Sequence, residues 1–112
     1  MQVSVAMEAF DVLGDPVRRR ILELLAAGER AAGDVGATVQ AEFRLTQPAV
    51  SRHLRVLRES GFARMRPDGQ RRLYAIDAAG LEHAEGWLAD LRAQWSQRLD
   101  ALETEIRRGR RK

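Results

Sequence analysis

The sequence predicts a mostly α-helical fold with one small β-hairpin and a long last helix. Five segments carry apolar residues at three- and four-residue spacing, which indicates amphipathic helices. After the fourth helix, apolar and basic residues alternate on both sides of a turn signal, which indicates two paired strands. With 112 residues, 45% of them hydrophobic, the chain is expected to form one domain with a modest core.

Two helices are predicted at the start of the chain. The first covers residues 3–13. Its apolar side comprises Val3, Met7, Phe10 and Leu13. Asp15 is expected to cap a second helix that begins at Pro16 and ends at Gly28. Arg18, Arg19 and Arg20 lie in this second helix, where we expect an exposed face pairing with Glu23 and its neighbours, with phosphate contact as the alternative.

A third and a fourth helix together predict a helix-turn-helix. The third is expected over about 31–43, with Arg44 and Leu45 as the turn into the fourth. Thr46 can cap the fourth helix, Pro48 fits its first turn, and Gly61 ends it. Its inner face comprises Val50, Leu54 and Leu57. A short turn between two helices, with polar residues at the start of the second, is typical of a DNA-binding helix pair.

The outer face of the fourth helix carries side chains that can bind DNA. Gln47, Ser51, Arg52 and Arg55 are expected to point outward, with His53 near the boundary. Amide, hydroxyl and guanidinium groups at these positions can read base edges or hold phosphates. The sequence therefore predicts a recognition helix for a DNA groove.

The hairpin that follows is expected to form a wing. Residues 62–66 and 71–76 alternate, and the turn between them is assigned to Pro67, Asp68, Gly69 and Gln70. Its inward side chains are expected to be Met65, Leu73 and Tyr74, and its exposed basic side chains are Arg64, Arg66, Arg71 and Arg72. Such arginines suit phosphates or a minor groove, and the alternative is charge that prevents edge aggregation.

The last helix, at about 78–106, carries an apolar stripe that is too long for one small domain to cover. The expected solution is a symmetric homodimer in which the last helices pack alongside the first ones. The expected interface comprises Met7, Phe10, Leu88, Leu91, Trp95, Leu99 and Leu102. Trp87 and Trp95 are expected to be core or interface aromatics, and a pocket for a small apolar effector between them is the alternative.

Charge is concentrated in the middle of the chain. Residues 44–74 hold 8 basic and 2 acidic side chains, whereas 1–43 hold 4 and 7 and 75–106 hold 2 and 7. A basic tail at 108–112 follows a domain assigned to 1–107, and it either frays or adds nonspecific attraction to DNA. The chain has no cysteine, no stretch of about 20 apolar residues and no export signal, so we expect a cytoplasmic protein without membrane contact.

These motifs together resemble the ArsR/SmtB family of bacterial winged helix repressors. The resemblance rests on LGDPVRRRILELL at 13–25, QPAVSRHLRVL at 47–57, GFA at 61–63 and GQRRLY at 69–74. It implies a homodimeric repressor of its own or a neighbouring operon, released by an inducer. It also implies a recognition helix in the major groove and a wing near the minor groove. The segment 36–45 is longer than the family's usual link, so the end of the third helix stays open.

The resemblance assigns the contacts with operator DNA residue by residue. It implies that Gln47, Ser51, Arg52 and His53 read the operator and that Thr46 and Arg55 hold phosphates or make secondary contacts. It places the wing contacts at Arg66, Arg71 and Arg72.

No metal or other cofactor is expected. Many family members sense metals through cysteines on the third helix, and this chain has none. Its two histidines, His53 and His83, lie in different elements. His83 with Glu85 or Asp90 could contribute to a metal site between subunits, but a single histidine near carboxylates on a solvated helix is usually only surface. The resemblance is therefore to the branch without the cysteine site, and any small-molecule inducer stays unnamed.

The motif inventory also argues against an enzyme, because the chain lacks a cysteine nucleophile, a phosphate-binding glycine loop and a zinc-protease motif. Two alternatives to a sequence-specific regulator stay open. One is a dimeric protein-interaction scaffold, and the other is a sequence-neutral architectural DNA binder.

Overall fold

The computed structural model describes the backbone of residues 2–110 and the side chains of residues 8–110. Within that part of the chain, all five predicted helices form, together with three short strands. The elements are α1 (Gln2–Leu13), α2 (Pro16–Ala26), β1 (Arg30–Ala31), α3 (Ala32–Phe43), α4 (Gln47–Glu59), β2 (Ala63–Asp68), β3 (Arg71–Ile76) and α5 (Ala78–Arg110). None of the described helices combines the length and apolar character needed to cross a membrane.

The predicted N-caps of α2 and α4 both form. The Asp15 carboxylate accepts hydrogen bonds from the backbone N–H groups of Val17 at 2.8 Å and Arg18 at 3.2 Å. The Thr46 hydroxyl accepts one from the backbone N–H of Ala49 at 3.3 Å. Each cap satisfies backbone donors that the first turn of a helix leaves without partners, so these two helix starts are fixed by local sequence.

The link between α3 and α4 is short because α3 extends to Phe43. Residues 36–43 are helical, and only residues 44–46 connect the two helices. Arg44 adopts the left-handed conformation, with φ of 56°, and its backbone N–H donates to the Gln40 carbonyl at 2.9 Å. The third helix, whose end the sequence did not decide, thus ends at Phe43. It begins at Ala32, one residue later than predicted, because Ala31 lies in a strand.

The sheet has three strands, whereas the sequence predicted a hairpin of two. The strand order is β1-β3-β2, and Arg30 and Ala31 pair with Tyr74 and Leu73. A strand of two residues has no alternation that a sequence pattern could reveal. The wing is therefore anchored to the chain between α2 and α3, as well as to its own hairpin.

The hairpin loop is shorter than predicted. Asp68 pairs with Arg71, so the loop consists of Gly69 and Gln70 alone, and Pro67 lies within β2. Gly69 adopts φ of +64°, in the left-handed region that favours glycine. Pro67 is tolerated in β2 because β2 is an edge strand, with a partner strand on one side only.

The core lies between the helix pair, the sheet and the base of α5. Its five largest fully buried side chains are Phe62, Ile21, Leu57, Val35 and Val39. The predicted inner face of α4 is confirmed, since all three of its apolar residues are buried. Burial of these side chains against α2 and α3 fixes which face of α4 turns outward.

Phe62 occupies the point where α4, β2 and α5 meet. Its backbone N–H donates to the Leu57 carbonyl at 2.9 Å, while the N–H of Gly61 donates to Arg58 at 3.3 Å. This pair of bonds, with Gly61 at φ of +80°, is the Schellman motif that ends a helix. On the other side, the N–H of Gly80 donates to the Gly61 carbonyl at 2.8 Å, which brings the first turn of α5 onto the Phe62 ring.

Helix α5 extends well beyond the rest of the chain. It has 33 residues and ends at Arg110, four residues later than predicted, so the proposed boundary at 107 falls inside the helix. At about 1.5 Å per residue it spans roughly 50 Å, which is the largest contribution to a longest dimension of 75 Å. Residues 108–110 of the predicted basic tail are helical, and residues 111–112 lie outside the described residues.

We predict that Gly80→Ala destabilises the protein and that Gly86→Ala, in the same helix, stabilises it. A Cβ at Gly80 would meet three atoms of the Phe62 ring at 2.6 to 2.8 Å, whereas Gly86 has nothing within 4 Å. Overpacking typically costs about 1 to 3 kcal/mol, while exposed helical Gly→Ala contributes about 0.5 to 1 kcal/mol. Urea unfolding of both variants measures the difference, and equal effects would rule out a tight Gly80 contact.

Candidate nucleic-acid interface

The exposed face of α4 is a row of polar and basic side chains. Gln47, Ser51, Arg55 and Arg58 follow one another at spacings of four, four and three residues, and all four are exposed. This spacing puts them on one side of the helix. Arg52, also exposed, lies beside this row. The side chains can therefore reach a groove without any change in the packing of the helix.

His53 lies away from this row, in the joint between three helices. It is half-buried, and its Nδ1 is 3.4 Å from the Nη1 of Arg18. The same guanidinium donates to the carbonyls of Val12 at 2.9 Å and Asp11 at 3.1 Å, at the end of α1. The prediction that placed His53 near the boundary between the inner and outer faces of α4 is confirmed by its partial burial, and its ring faces α2 rather than the exposed row.

Burial lowers the pKa of His53 below its ordinary value, and the charges of Arg18 and Arg52 act in the same direction. The Asp15 carboxylate opposes them. Burial by itself would raise the pKa of Asp15, but the backbone N–H groups of Arg18 and Val17 and the nearby charges lower it below its usual range. A neutral His53 can accept the Arg18 hydrogen bond at Nδ1, which a protonated ring cannot.

The wing presents its arginines on two different faces. Tyr74 pairs with Met65, Leu73 with Arg66, and Ala75 with Arg64. Paired residues share a face and neighbours along a strand alternate, so Arg72 shares the Tyr74 face that turns toward α4. The opposite face carries Arg64, Arg66, Arg71 and Leu73. The prediction of a single arginine cluster is therefore wrong. The same alternation puts Leu73 and Tyr74, which were both predicted to point inward, on opposite faces of the wing.

Arg66 is held by a carboxylate from outside the wing. Its Nε and Nη2 donate to the two oxygens of Glu29 at 2.9 and 2.8 Å. This two-point hydrogen bonding to Arg66 lowers the pKa of Glu29. Glu29 immediately precedes β1, so the pair fastens the outer face of the wing to the start of the sheet.

A cleft separates α4 from the wing, and arginines line it from both sides. Arg55 and Arg58 border it on α4, and Arg72 borders it on β3. The Nη1 of Arg58 donates to the hydroxyl of buried Tyr74 at 3.5 Å. Arg58 was absent from the predicted contacts, although its spacing of seven residues from Ser51 could have placed it on the same face.

The chain matches known regulators in sequence and in structure. A family model described as a helix-turn-helix domain matches residues 13–66. The transcriptional repressor SdpR of Bacillus subtilis is 30% identical over 79 residues, which cover 70% of this chain and 83% of SdpR. The crystal structure of an ArsR family transcriptional regulator superposes with a TM-score of 0.72 at 27% identity, over 83% of this chain and 92% of that one. The chain belongs to the ArsR family.

Membership of the ArsR family makes this chain a DNA-binding transcriptional regulator with a winged helix-turn-helix fold. A third match is the solution structure of a homodimeric winged helix-turn-helix domain from Mycobacterium bovis, described as a possible ArsR-family regulator. It has a TM-score of 0.60 and 26% identity, over 88% of this chain and 84% of that one. Other matching regulators are aligned over 60 to 76% of their own length.

The arginines of α2 in this ArsR-family chain bind other parts of the protein. Arg20 donates to both oxygens of Glu42 on α3, at 2.8 and 3.1 Å, and also contacts Glu23 at 3.4 Å. Arg19 donates to the Leu13 carbonyl at 2.7 Å. The predicted pairing with Glu23 is confirmed for Arg20 alone. Arg18 and Arg20 are half-buried, not exposed as predicted, because the three arginines fasten α2 to α1 and α3.

Metal-ligating side chains are dispersed in this ArsR-family chain. Within residues 8–110, no three His, Asp or Glu side chains come together in a group that could hold a metal ion. His53 lies in the joint of α4, and His83 is exposed on α5.

The apolar stripe of α5 is open to solvent over most of its length. Its exposed large side chains, at 38 to 60% exposure, are Trp87, Leu88, Leu91, Trp95, Leu99, Leu102 and Ile106. Only the base of the helix is covered, where Ala84 is buried and Trp87 meets the Phe10 ring edge-on at 5.4 Å. Of the predicted interface residues, the side chain of Met7 lies outside the described residues.

We predict that the protein loses stability below about pH 6.5 partly through His53. The fold lowers its pKa, so the unfolded chain binds the proton more readily, and stability falls as pH drops from 6.5 toward the folded pKa. Thermal unfolding at pH 7.5 and 5.5 should show a smaller loss in His53→Gln. The matched control is His83→Gln, which leaves the Arg18 contact intact and should keep the full loss; equal losses in both variants would contradict the assignment.

Proposed function

We propose that this protein is a homodimeric, sequence-specific repressor that binds a palindromic operator. The observation that carries the proposal is the exposed side of α4, where Gln47, Ser51 and Arg52 point away from a fully packed apolar face. Glutamine makes paired hydrogen bonds with adenine, and arginine makes them with guanine, in the major groove. We assign base reading to these three residues, with Thr46 and Arg55 on the flanking phosphates.

The other residues predicted to contact DNA fall into two groups: those with exposed side chains and those that already bind another part of the protein. Arg71 and Arg72 stand exposed beside the hairpin loop and suit phosphates at the minor groove. Arg66 is already paired with Glu29, so we assign it to holding the wing in place. His53 is assigned to the joint between α2 and α4, because its ring is turned toward Arg18.

The stripe on α5 supports a dimer. A row of seven large apolar side chains at 38 to 60% exposure is a costly surface for a monomer, and pairing with a second copy removes it from water. Phe10 extends the same surface onto α1 through its contact with Trp87. A symmetric dimer would carry two copies of α4, which matches a two-fold symmetric operator with half-sites about one DNA turn apart.

Repression is the regulatory direction that the relatives favour, because SdpR is named a transcriptional repressor. A dimer seated on an operator next to its own gene or a neighbouring operon would block access to the promoter. DNA of this kind is met in the cytoplasm, where a chain without cysteine has no disulfide to lose. The proposed partners are therefore double-stranded operator DNA and a second copy of this chain.

We predict that Gln47→Ala and Arg52→Ala each weaken operator binding and relax the base preference at one position per half-site. Loss of a good paired contact should cost about 1 to 3 kcal/mol against the preferred base. The measurement is selection of bound fragments from random and upstream genomic DNA at fixed salt, first with the unmodified protein.

The control for side-chain loss is Gln97→Ala, on exposed α5, which should preserve both affinity and preferred sequence. Failure of the unmodified protein to enrich any sequence would overturn the repressor proposal. Enrichment that both Gln47→Ala and Arg52→Ala leave unchanged would remove base reading from these residues.

We predict that Leu91→Glu and Trp95→Glu convert the dimer into a monomer. Each would place a charge in the proposed apolar interface, whereas Gln97→Glu adds the same charge on the opposite side of α5 and should leave the dimer intact. Sedimentation equilibrium measures the assembly, and circular dichroism checks that the helix persists. A monomeric unmodified protein, or a dimer in all three variants, would contradict the proposed interface.

A further inference from the structure

We infer that Arg58, held by Tyr74 across the cleft between α4 and the wing, is a further contact with the phosphodiester backbone of duplex DNA, in addition to the contacts assigned above. This inference rests on the proposed function. The cleft has a volume of about 380 Å³, and its polar lining comprises Gln47, Ser51, Arg55, Arg58, Arg72 and Tyr74.

The cleft is positively charged and has no internal counterion. Arg55, Arg58 and Arg72 approach it from two elements, and among the described residues no Asp or Glu lines it. None of the three arginines forms a salt bridge with another described side chain, in contrast to Arg20 and Arg66. Three unneutralised guanidinium groups around one cleft favour an anion, and their planar forks match a phosphate.

Tyr74 gives this site a fixed element. Its side chain is only 5% exposed, and its hydroxyl accepts a hydrogen bond from the Nη1 of Arg58 at 3.5 Å. Tyr74 lies on the central strand of the sheet, so it does not move independently of the wing. The hydroxyl therefore acts as a positioning group that holds one arm of Arg58 across the cleft and leaves its other donors for a ligand.

The position of the cleft identifies the anion. A protein that places one helix in the major groove and a wing at the minor groove must straddle the sugar-phosphate strand between the two grooves. The cleft lies between those two elements, on the side of the sheet that turns toward α4. The backbone strand would therefore pass through the cleft, with Arg58 and Arg72 on either side of a phosphate and Arg55 next to it.

Such a contact positions the protein without reading sequence. We expect Arg58→Ala and Arg72→Ala to weaken binding about tenfold or more at 0.1 M salt, by the same factor on matched and mismatched operators. Each phosphate contact contributes about 0.9 to the slope of log K against log salt, so losing one per protomer should lower the slope of a dimer by about 1.8.

The experiment measures operator affinity by fluorescence anisotropy between 50 and 200 mM salt. Arg64→Ala, on the opposite face of the wing, removes the same charge outside the cleft and should keep the slope. Arg58→Lys should keep the slope and lose affinity, because the charge remains without the fork. Tyr74→Phe should weaken binding while thermal stability and sequence preference stay unchanged, since it removes only the hydroxyl.

Three results would overturn the inference while leaving the repressor proposal intact. One is an unchanged salt slope in both Arg58→Ala and Arg72→Ala. Another is a change of preferred base in Arg58→Ala, which would make Arg58 a base-reading residue. The third is an equal fall of the slope in Arg64→Ala, which would reduce the effect to net charge. Absence of any sequence enrichment by the unmodified protein would instead overturn the proposed function.

Discussion

The arrangement of the functional surfaces depends on the burial of one aromatic ring. Phe62 is fully buried where α4 ends, the wing begins and α5 departs, and Gly80 approaches it so closely that a methyl group would not fit. The chain reaches this point through the left-handed turn at Gly61. Because a packed interior does not deform smoothly, this contact fixes the direction of the recognition helix relative to both the wing and α5.

Carboxylate placement, more than arginine number, decides what each arginine does. Arg20 faces Glu42 and Arg66 faces Glu29, so both guanidinium groups are used in holding elements together. Arg18 also holds two elements together, because it donates hydrogen bonds to backbone carbonyls of α1. On α4 and the inner face of β3 no such partner is present among the described residues, and Arg58 stays available to an external anion. Identical side chains therefore divide into those that hold elements together and those that we propose contact DNA.

The sequence was sufficient for features that are decided locally. Helix starts at Asp15 and Thr46 follow from caps within three residues, and the inner face of α4 follows from its periodicity. The sequence was insufficient for features that depend on contacts between residues far apart along the chain. The strand at β1 exists only because residues 73–74 pair with it, and the ring of His53 turns inward to meet Arg18, 35 positions earlier. The cleft likewise joins Arg58 to Tyr74, on separate elements, so spacing alone could not show it.

The joint around Arg18 links the two surfaces that the proposed function requires. Its guanidinium binds the carbonyl end of α1, which carries Phe10 toward the α5 stripe, and the same group contacts His53 on α4. Phe62 connects α4 to α5 on the other side. In the proposed dimer, packing within each protomer thus sets the position of α4 relative to α5, and the α5 interface sets the position of one protomer relative to the other. A change at that interface would therefore alter the separation of the two α4 helices, and with it the fit to the operator.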